Sequence, residues 1–263
     1  MQDLILRNDT GHVARLTLND PDRLNVLSFE MIDALADAFR GIEADEKIRA
    51  VILSANGKAF CVGHDLRQMQ ASRQDEDAGR AAFDRLFGRC GGMMQMIPAL
   101  PQPVIAEVHG VATAAGCQLV AACDLAIATE DAKFGVNGVD IGLFCSTPMV
   151  ALTRAIAPRA AFEMLVTGNF ITAARAQELG LVTRVAAQAS LSEVTMEMAQ
   201  QIAAKLPAAV RMGKRTFHEQ LRLGLADAYA TASGTICENL MLPDTEEGIS
   251  AFLEKRRPSW DDS

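Results

Sequence analysis

Two short segments combine the residue types that can bind an oxygen anion in an enzyme. They read GKAFCVGHDL, from Gly57, and HGVATAAGCQL, from His109. In each, a β-type run is followed by small residues and then by a helical pattern, with helix starts predicted near Asp65 and near Thr113 to Ala115. Backbone N–H groups at a helix N-terminus lack intrahelical acceptors and favour an anion. Two such amides that converge would form an oxyanion hole; the alternative is two tight turns that only pack.

A third segment offers side chains for nucleophilic or acid–base chemistry. It reads FGVNGVDIGLFCSTPMVALTRAIAP, from Phe134 to Pro158. Cys145 and Ser146 precede a predicted helix, a position that can depress the pKa of a thiol and makes Cys145 a candidate nucleophile. The alternative is inert packing, since cysteine is among the most often buried residue types. Asp140 is a candidate acid or base, or a residue that satisfies loop amides.

The elements that must position these residues alternate between strand and helix. β-type runs are predicted at LILR, VARLTL, AVILSA, PVIAEVHG and DLAIATE, and Ser28 is predicted to cap a helix that ends near Gly41. This alternation indicates an α/β fold with largely parallel strand pairing. After Val185 the pattern becomes helical, and the polar stretch from Gln70 is predicted to be a surface loop.

Composition and charge exclude several classes of function. The 263 residues carry a net charge of −8, which argues against a general nucleic-acid or anionic-membrane surface. No apolar run is long enough to span a bilayer, and the start lacks the features of a targeting peptide. Six cysteines without a CxxC pair favour free thiols in a reducing compartment, so a cytoplasmic location is predicted. The four histidines lack ligand-like spacing, so no metal site is predicted, and no nucleotide-binding motif is present.

Several segments, taken in order, resemble the enoyl-CoA hydratase/isomerase, or crotonase, family over nearly the full length. They are LNDPDRLNVLS, GKAFCVGHDL, PVIAEVHGVATAAGCQLVAACDLAIATEDAKFGVNGVDIGL, TGNFITAARAQELGLVTRV and AFLEKRRP. The stretch GLFCSTP resembles the subgroup of enoyl-CoA hydratase domain-containing proteins. The resemblance implies a crotonase-like ββα spiral with an acyl-CoA pocket over residues 1–190. It also implies a helical oligomerisation region over residues 191–263, which forms a homotrimer or a dimer of trimers.

The resemblance also assigns roles to individual residues. The family's two oxyanion amides correspond to those of His64 and Ala115, where a backbone donor survives a change of side chain. No cofactor is implied, because coenzyme A enters only as part of the thioester substrate. The residues implied to bind it are Arg23, Leu24, Asp65 and Leu66, together with Phe252 and Lys255 from the C-terminal helix; a solvated helix end is the alternative for the Lys255 region.

Two departures from the family put its usual reaction in doubt. Hydratases of the family use two glutamates, and the matching positions here are Gln118 and Gly138. General acid–base chemistry contributes about 10² to 10⁴ in rate for each group, so hydration is predicted to be slow unless Asp140, Cys145, Ser146 or the His64 imidazole substitutes. Restoring glutamate at both positions is expected to raise the hydration of crotonyl-CoA.

Three functions remain open at this point. The first is an acyl-CoA thioester-processing enzyme that holds the thioester oxygen with two backbone amides and uses unusual proton-transfer groups. The second is a non-catalytic acyl-CoA-binding or scaffold protein. The third is an enzyme that cleaves a carbon–carbon or thioester bond through Asp140 or Cys145.

Overall fold

The computed structural model describes residues 3–260 and contains two sheets and eleven α-helices within that range. The large sheet has the strand order β1-β2-β3-β4-β6-β9, in which only β1 and β2 pair antiparallel. Its strands are β1 (Ile5–Thr10), β2 (Val13–Leu18), β3 (Ala50–Ala55), β4 (Val104–Val108), β6 (Leu125–Thr129) and β9 (Arg184–Ala186). The predicted α/β class with mainly parallel pairing is confirmed.

A small second sheet runs beside the first in the order β5-β7-β8. It consists of β5 (Val111–Thr113), β7 (Lys133–Gly135) and β8 (Ile171–Thr172), and a single bridge from Cys61 to Ala112 extends it. The units that begin with β3, β4 and β6 therefore give one strand or bridge to each sheet before a helix begins, whereas β1 and β2 both lie in the large sheet. Each passage from the small sheet into a helix creates a tight turn.

The first seven helices surround the two sheets. They are α1 (Phe29–Glu43), α2 (Leu66–Ser72), α3 (Arg80–Ala99), α4 (Ala115–Ala122), α5 (Ser146–Ala155), α6 (Pro158–Thr167) and α7 (Ala173–Leu179). The Ser28 side chain accepts a hydrogen bond from the Met31 amide, so the predicted cap of α1 is confirmed. The helix continues two residues past Gly41, because Gly41 faces open space and is tolerated within the last turn. The loop predicted from Gln70 begins later, because α2 continues to Ser72.

The remaining helices confirm the predicted helical C-terminal region. They are α8 (Leu191–Ala203), α9 (Pro207–Gln220), α10 (Leu225–Leu240) and α11 (Pro243–Leu253). α8 buries Leu191, Met198 and Ala199 against one face of the large sheet, where Ile52 and Ile105 are fully buried. The boundary proposed between residues 190 and 191 thus falls at the start of a helix that packs on the sheet. No helix within residues 3–260 is long and apolar enough to cross a membrane.

A buried ion pair fastens α9 to the sheet. The Lys214 ammonium donates to Asp124 Oδ2 at 2.6 Å and to the carbonyl oxygens of Ile97 and Gln102, both at 2.9 Å. Asp124 Oδ2 also accepts the Val104 amide at 2.7 Å. Only 5% of the Lys214 side chain is exposed, and burial lowers its pKa against the opposing effect of Asp124. This pair therefore links α9 to the core through two charged side chains that are largely removed from water.

Candidate active site

The two predicted anion-binding turns lie in contact with each other. Gly63 has φ +92°, and a Cβ atom built on it would lie 2.9 Å from the Ala114 Cβ and 3.3 Å from the Ala115 nitrogen. A Cβ on Gly116 would overlap the Cys61 carbonyl oxygen. The two turns can approach this closely only because both positions are glycine, which has no side chain.

Backbone hydrogen bonds hold the two turns together and leave the N–H groups of His64 and Ala115 without a backbone acceptor among the described residues. Cys61 donates to Val111 and accepts from Thr113, at 3.2 and 3.0 Å, and the Leu27 amide donates to the Gly63 carbonyl at 2.7 Å. Ala115 is the first residue of α4, so its N–H has no intrahelical acceptor. Within residues 3–260, neither the His64 nor the Ala115 N–H donates to a backbone carbonyl. Two free donors therefore lie on adjoining turns, as an oxyanion hole requires.

Ala114, rather than Ala115, carries the strain of the second turn. Its backbone has φ 51° and ψ −120°, a combination that side-chain-bearing residues rarely adopt. Its N–H donates to the Gly135 carbonyl at 2.9 Å, which fixes the peptide in the small sheet. Ala115 is not among the residues with positive φ, so the alanine at this position keeps an ordinary backbone.

Gln118 lies one turn into α4, on the same face of the helix as Ala115. Its side chain is 4% exposed, and its Oε1 atom has no hydrogen-bond partner among the described residues. Side chains on a helix lean toward the N-terminus over the residues three and four positions earlier. This general tendency predicts a Gln118 carboxamide that is directed toward Ala114 and Ala115.

The His64 imidazole adds a second polar side chain beside the same turn. Its ring contacts Phe87 of α3 edge-on, with 5.2 Å between the ring centroids. The Nε2 atom is buried and has no partner within residues 3–260. Burial lowers the pKa of His64 to about 4, because the charged ring would lose its hydration. The imidazole is therefore neutral at physiological pH.

The space of a side chain at residue 138 is already filled. A Cβ atom on Gly138 would overlap the Leu143 carbonyl oxygen and lie 2.9 Å from Cys145 Sγ. The Leu143 amide donates back to the Gly138 carbonyl at 2.9 Å, which closes the loop on itself. The expectation that glutamate could be restored at both Gln118 and Gly138 therefore changes. Glutamate at residue 118 would keep the size of the side chain, whereas Gly138 has no room for a side chain.

The other candidate side chains of this loop are those of Cys145, Ser146 and Asp140, of which only Cys145 is buried. Cys145 is buried at the N-cap of α5, and its burial raises the pKa of the thiol against the opposing effect of a backbone hydrogen bond from Gly138. Ser146 is exposed and donates to the Phe144 carbonyl at 3.3 Å. Asp140 is exposed and lies beside Gly168, with Oδ1 2.8 Å from the position of a Cβ there. The thiol is therefore protonated at neutral pH rather than activated as a nucleophile.

Four of the six residues implied to bind coenzyme A lie together at the start of α2. Arg23 forms ion pairs with Asp20 at 2.8 Å and Asp65 at 3.1 Å, and Asp65 caps α2 by accepting the amides of its first turn. Leu24 has a left-handed backbone and is 39% exposed, and Leu66 is 53% exposed. The two carboxylates hold the guanidinium at the start of α2, and 43% of the Arg23 side chain stays exposed.

The other two residues implied to bind coenzyme A lie in the C-terminal helical region. Phe252 is in α11, which packs against α10, and its side chain is 82% exposed. Lys255 follows α11 with a φ of 56°. Because so little of the Phe252 ring is buried, the structure of the single chain does not pack it against the turns at His64 and Ala115.

Comparison with known proteins identifies the family. The profile described as Enoyl-CoA hydratase/isomerase matches residues 8–263. The chain belongs to this family. Among curated relatives, the human enoyl-CoA hydratase domain-containing protein 3, mitochondrial, is 42% identical over 94% of this chain and 80% of its own length. The Xenopus laevis protein of the same name is 41% identical over 97% of this chain and 85% of its own length.

Solved structures of enoyl-CoA hydratase/isomerase family proteins have the same fold. The enoyl-CoA hydratase of Mycobacterium smegmatis superposes with a TM-score of 0.94 at 52% identity, covering 98% of this chain and 99% of that one. Human enoyl Coenzyme A hydratase domain-containing protein 3 superposes with a TM-score of 0.92 at 40% identity, covering 98% and 100%. The predicted crotonase fold and the resemblance to the domain-containing subgroup are confirmed.

The cytoplasmic location predicted for this enoyl-CoA hydratase/isomerase family member is contradicted by its relatives. Five vertebrate relatives, 40 to 42% identical to the chain, all carry the word mitochondrial in their names. The prediction rested on free cysteines and on the absence of targeting features. Free thiols report only a reducing compartment, so they do not separate the cytoplasm from other reducing locations.

Sequence analysis of the family member missed two residues that shape the site. Phe87 contacts the His64 ring. In the sequence, its only signal is its place in the apolar pattern of α3. Asn137 accepts a hydrogen bond from the Thr113 hydroxyl at 2.7 Å and so ties the loop of Gly138 to the strand before α4. This pairing spans 24 residues and leaves no periodic signal in the sequence.

Proposed function

We propose that the chain binds an acyl-CoA thioester and polarises its carbonyl oxygen with the backbone N–H groups of His64 and Ala115. The observation that carries this proposal is the contact between the two turns, which brings two unpaired donors onto adjoining segments. Donors fixed in this way stabilise the negative charge that develops on a thioester oxygen without reorganising during the reaction. Arg23, Leu24, Asp65 and Leu66 border the same turn and are proposed to bind coenzyme A.

The proton-transfer step is proposed to differ from that of a two-glutamate hydratase. Gln118 does not titrate and can orient a water or a substrate only through hydrogen bonds. The carboxylate of Asp140 is exposed, and the thiol of Cys145 keeps its proton. Neither side chain therefore replaces the buried glutamate that a two-glutamate hydratase has at the position of residue 138. Acyl-CoA chemistry that needs only carbonyl polarisation fits these residues better than hydration does. The second candidate, a non-catalytic acyl-CoA-binding protein, is favoured by the filled space at Gly138.

Binding and turnover are tested separately. We expect butyryl-CoA to bind in calorimetry and the Gly63→Ala variant to bind about tenfold more weakly, because the new Cβ would displace the Ala115 amide. Gly41→Ala, in open space on α1, is the matched control and should bind like wild type. Incubation with crotonyl-CoA in deuterium oxide, followed by mass spectrometry, then detects hydration as the gain of one D2O. Absence of butyryl-CoA binding by the wild-type protein would overturn the proposal.

The C-terminal helices are proposed to assemble the chain into a trimer or a dimer of trimers. No residue of α10 is buried, although the helix carries large apolar side chains. Tyr229 is 69% exposed, and Met241, just after α10, is 83% exposed. Surfaces of this kind are covered by protein in soluble assemblies. Phe252 and Lys255 lie at the end of this region, where such an assembly is proposed to bring them to a coenzyme A site.

Light scattering tests the assembly directly. At micromolar concentration we expect a mass three or six times the 28.2 kDa of the chain. A double variant with Tyr229→Glu and Met241→Glu should lower the mass, because buried unpaired charges destabilise an interface. Glu197→Gln on α8 changes charge outside α10 and serves as the control. A wild-type mass equal to one chain would contradict the proposal.

A further inference from the structure

A basic cavity lies between the end of α3 and one side of α9, away from the two turns of the candidate active site. Its volume of about 560 Å³ is within the range of small-molecule pockets. α9 and the residues just after it line the cavity with four basic side chains, which are Arg211, Arg215, His218 and Arg222. Residues three or four positions apart lie on the same side of a helix, so these side chains form one basic wall.

The positive charge of this wall is not cancelled by a close carboxylate. Arg211 donates to the Glu46 carbonyl oxygen at 3.0 Å, which is a neutral acceptor. Arg215 lies 4.0 Å from the Glu238 carboxylate, and 65% of its side chain is exposed. The Arg222 side chain makes no hydrogen bond or ion pair within residues 3–260. A cleft lined by one sign of charge concentrates ligands of the opposite sign, so this cavity favours an anion.

Asp124 fixes the orientation of the His218 ring in the same wall. The Nε2 atom of His218 bonds to Asp124 Oδ1 at 3.0 Å, and Asp124 Oδ2 accepts from the buried Lys214 ammonium at 2.6 Å. The His218 side chain is 25% exposed, and its Nδ1 atom has no hydrogen-bond partner in the part of the chain that the structure describes. Binding therefore needs little ordering of this side chain, which lowers the cost in entropy.

The wall across from the arginines is apolar. It consists of residues 98–101, with the sequence PALP, at the end of α3, and α9 adds Met212 beside it. Glu219 is the one acidic residue in the described lining, against three arginines. Apolar side chains of this kind bury hydrocarbon but give no hydrogen bond to a charged group. The two walls together match a ligand with an anionic end and an apolar body.

We propose that this cavity binds a small amphipathic anion, with its carboxylate or phosphate on the α9 arginines and its hydrocarbon chain against the end of α3. Guanidinium groups pair with two oxygens of either head group through parallel hydrogen bonds, so the same side chains serve both. The cavity shares no residue with the two turns of the candidate active site. It also lies on a different side of α9 from Thr216, which contacts Thr235 of α10 at 2.8 Å.

Titration calorimetry with octanoate, octyl phosphate, octan-1-ol and inorganic phosphate tests both walls. We expect at least one octyl anion to bind about tenfold more tightly than octan-1-ol, which lacks the charge, and than inorganic phosphate, which lacks the hydrocarbon. The tighter of the two octyl anions identifies the head group that the arginines prefer. Equal affinity for octan-1-ol or for inorganic phosphate would overturn the amphipathic ligand, and no binding of either octyl anion would overturn the site.

Single substitutions and photolabelling locate the bound anion. Arg215→Gln and Arg222→Gln each remove one guanidinium from an exposed position, so both variants should fold as wild type does and bind the octyl anion about tenfold more weakly. Arg159→Gln, exposed on α6, is the matched control and should retain the wild-type affinity. An octanoate that carries a diazirine should label residues 95–101 or 211–223. Wild-type affinity in both cavity variants, or absence of label from both segments, would overturn the proposal.

Discussion

Replacing Gly138 by glutamate is expected to lower the free energy of unfolding by about 3 kcal/mol and to give no gain in hydration of crotonyl-CoA. The first carbon of the new side chain would overlap the Leu143 carbonyl oxygen and press on Cys145 Sγ. The carbonyl belongs to the backbone and cannot rotate away as a flexible side chain could. Accommodation therefore requires the loop from residue 138 to 143 to open and lose the hydrogen bond that closes it.

Three variants separate the causes of this effect. Gly138→Ala adds only the Cβ atom and should account for most of the loss of stability. Gly41→Ala adds the same atom in open space within α1 and should raise stability by about 0.5 to 1 kcal/mol, since alanine favours a helix. Gln118→Glu tests the carboxylate without the clash. Urea unfolding followed by circular dichroism measures all three, and a Gly138→Glu variant of wild-type stability with faster hydration would refute the argument.

Replacing Lys214 by methionine is expected to lower the free energy of unfolding by about 3 to 5 kcal/mol. The substitution preserves the length of the side chain but removes the partner of Asp124, whose carboxylate would remain buried with the Val104 amide and His218. The carbonyl oxygens of Ile97 and Gln102 would also lose a charged donor. Each loss removes a charged hydrogen-bond donor from a desolvated oxygen, and Asp124 keeps only the Val104 amide and His218.

The control for Lys214 is a lysine outside the core. Lys205 is exposed between α8 and α9, so Lys205→Met should change stability by no more than about 0.5 kcal/mol. Adding Asp124→Asn to Lys214→Met should recover part of the loss, because the unpaired charge is removed with its partner. Comparison at one protein concentration excludes effects of assembly. A Lys214→Met variant as stable as wild type would show that the buried pair does not hold α9 in place.

Features fixed by local sequence were predictable, and features fixed by distant contacts were not. The strand at residues 50–55 and the Ser28 cap follow from runs of β-type residues and from the preference of serine for the N-cap. The two turns at His64 and Ala115 could likewise be placed from glycines and helix starts. In contrast, Lys214 pairs with a residue 90 positions away, which composition and periodicity do not reveal.

The candidate site divides in the same way. The sequence shows that Gln118 and Gly138 are not carboxylates, but only the structure shows that the Leu143 carbonyl and the Cys145 thiol fill the space at residue 138. The thiol was a candidate nucleophile because it precedes a helix. Burial raises the pKa of the Cys145 thiol against the opposing effect of a backbone hydrogen bond from Gly138, because a desolvated thiolate loses its hydration.

The position of α8 has a consequence for how the chain is made. The sheet face that α8 covers is apolar from Val13 in β2 to Ala186 in β9. The covering helix, α8, comes later in the chain and is complete only at Ala203. During synthesis at about 5 to 20 residues per second, strands made early therefore wait on the order of ten seconds for the helix that shields them. Throughout that interval the nascent chain exposes parallel strands that can pair with those of another chain.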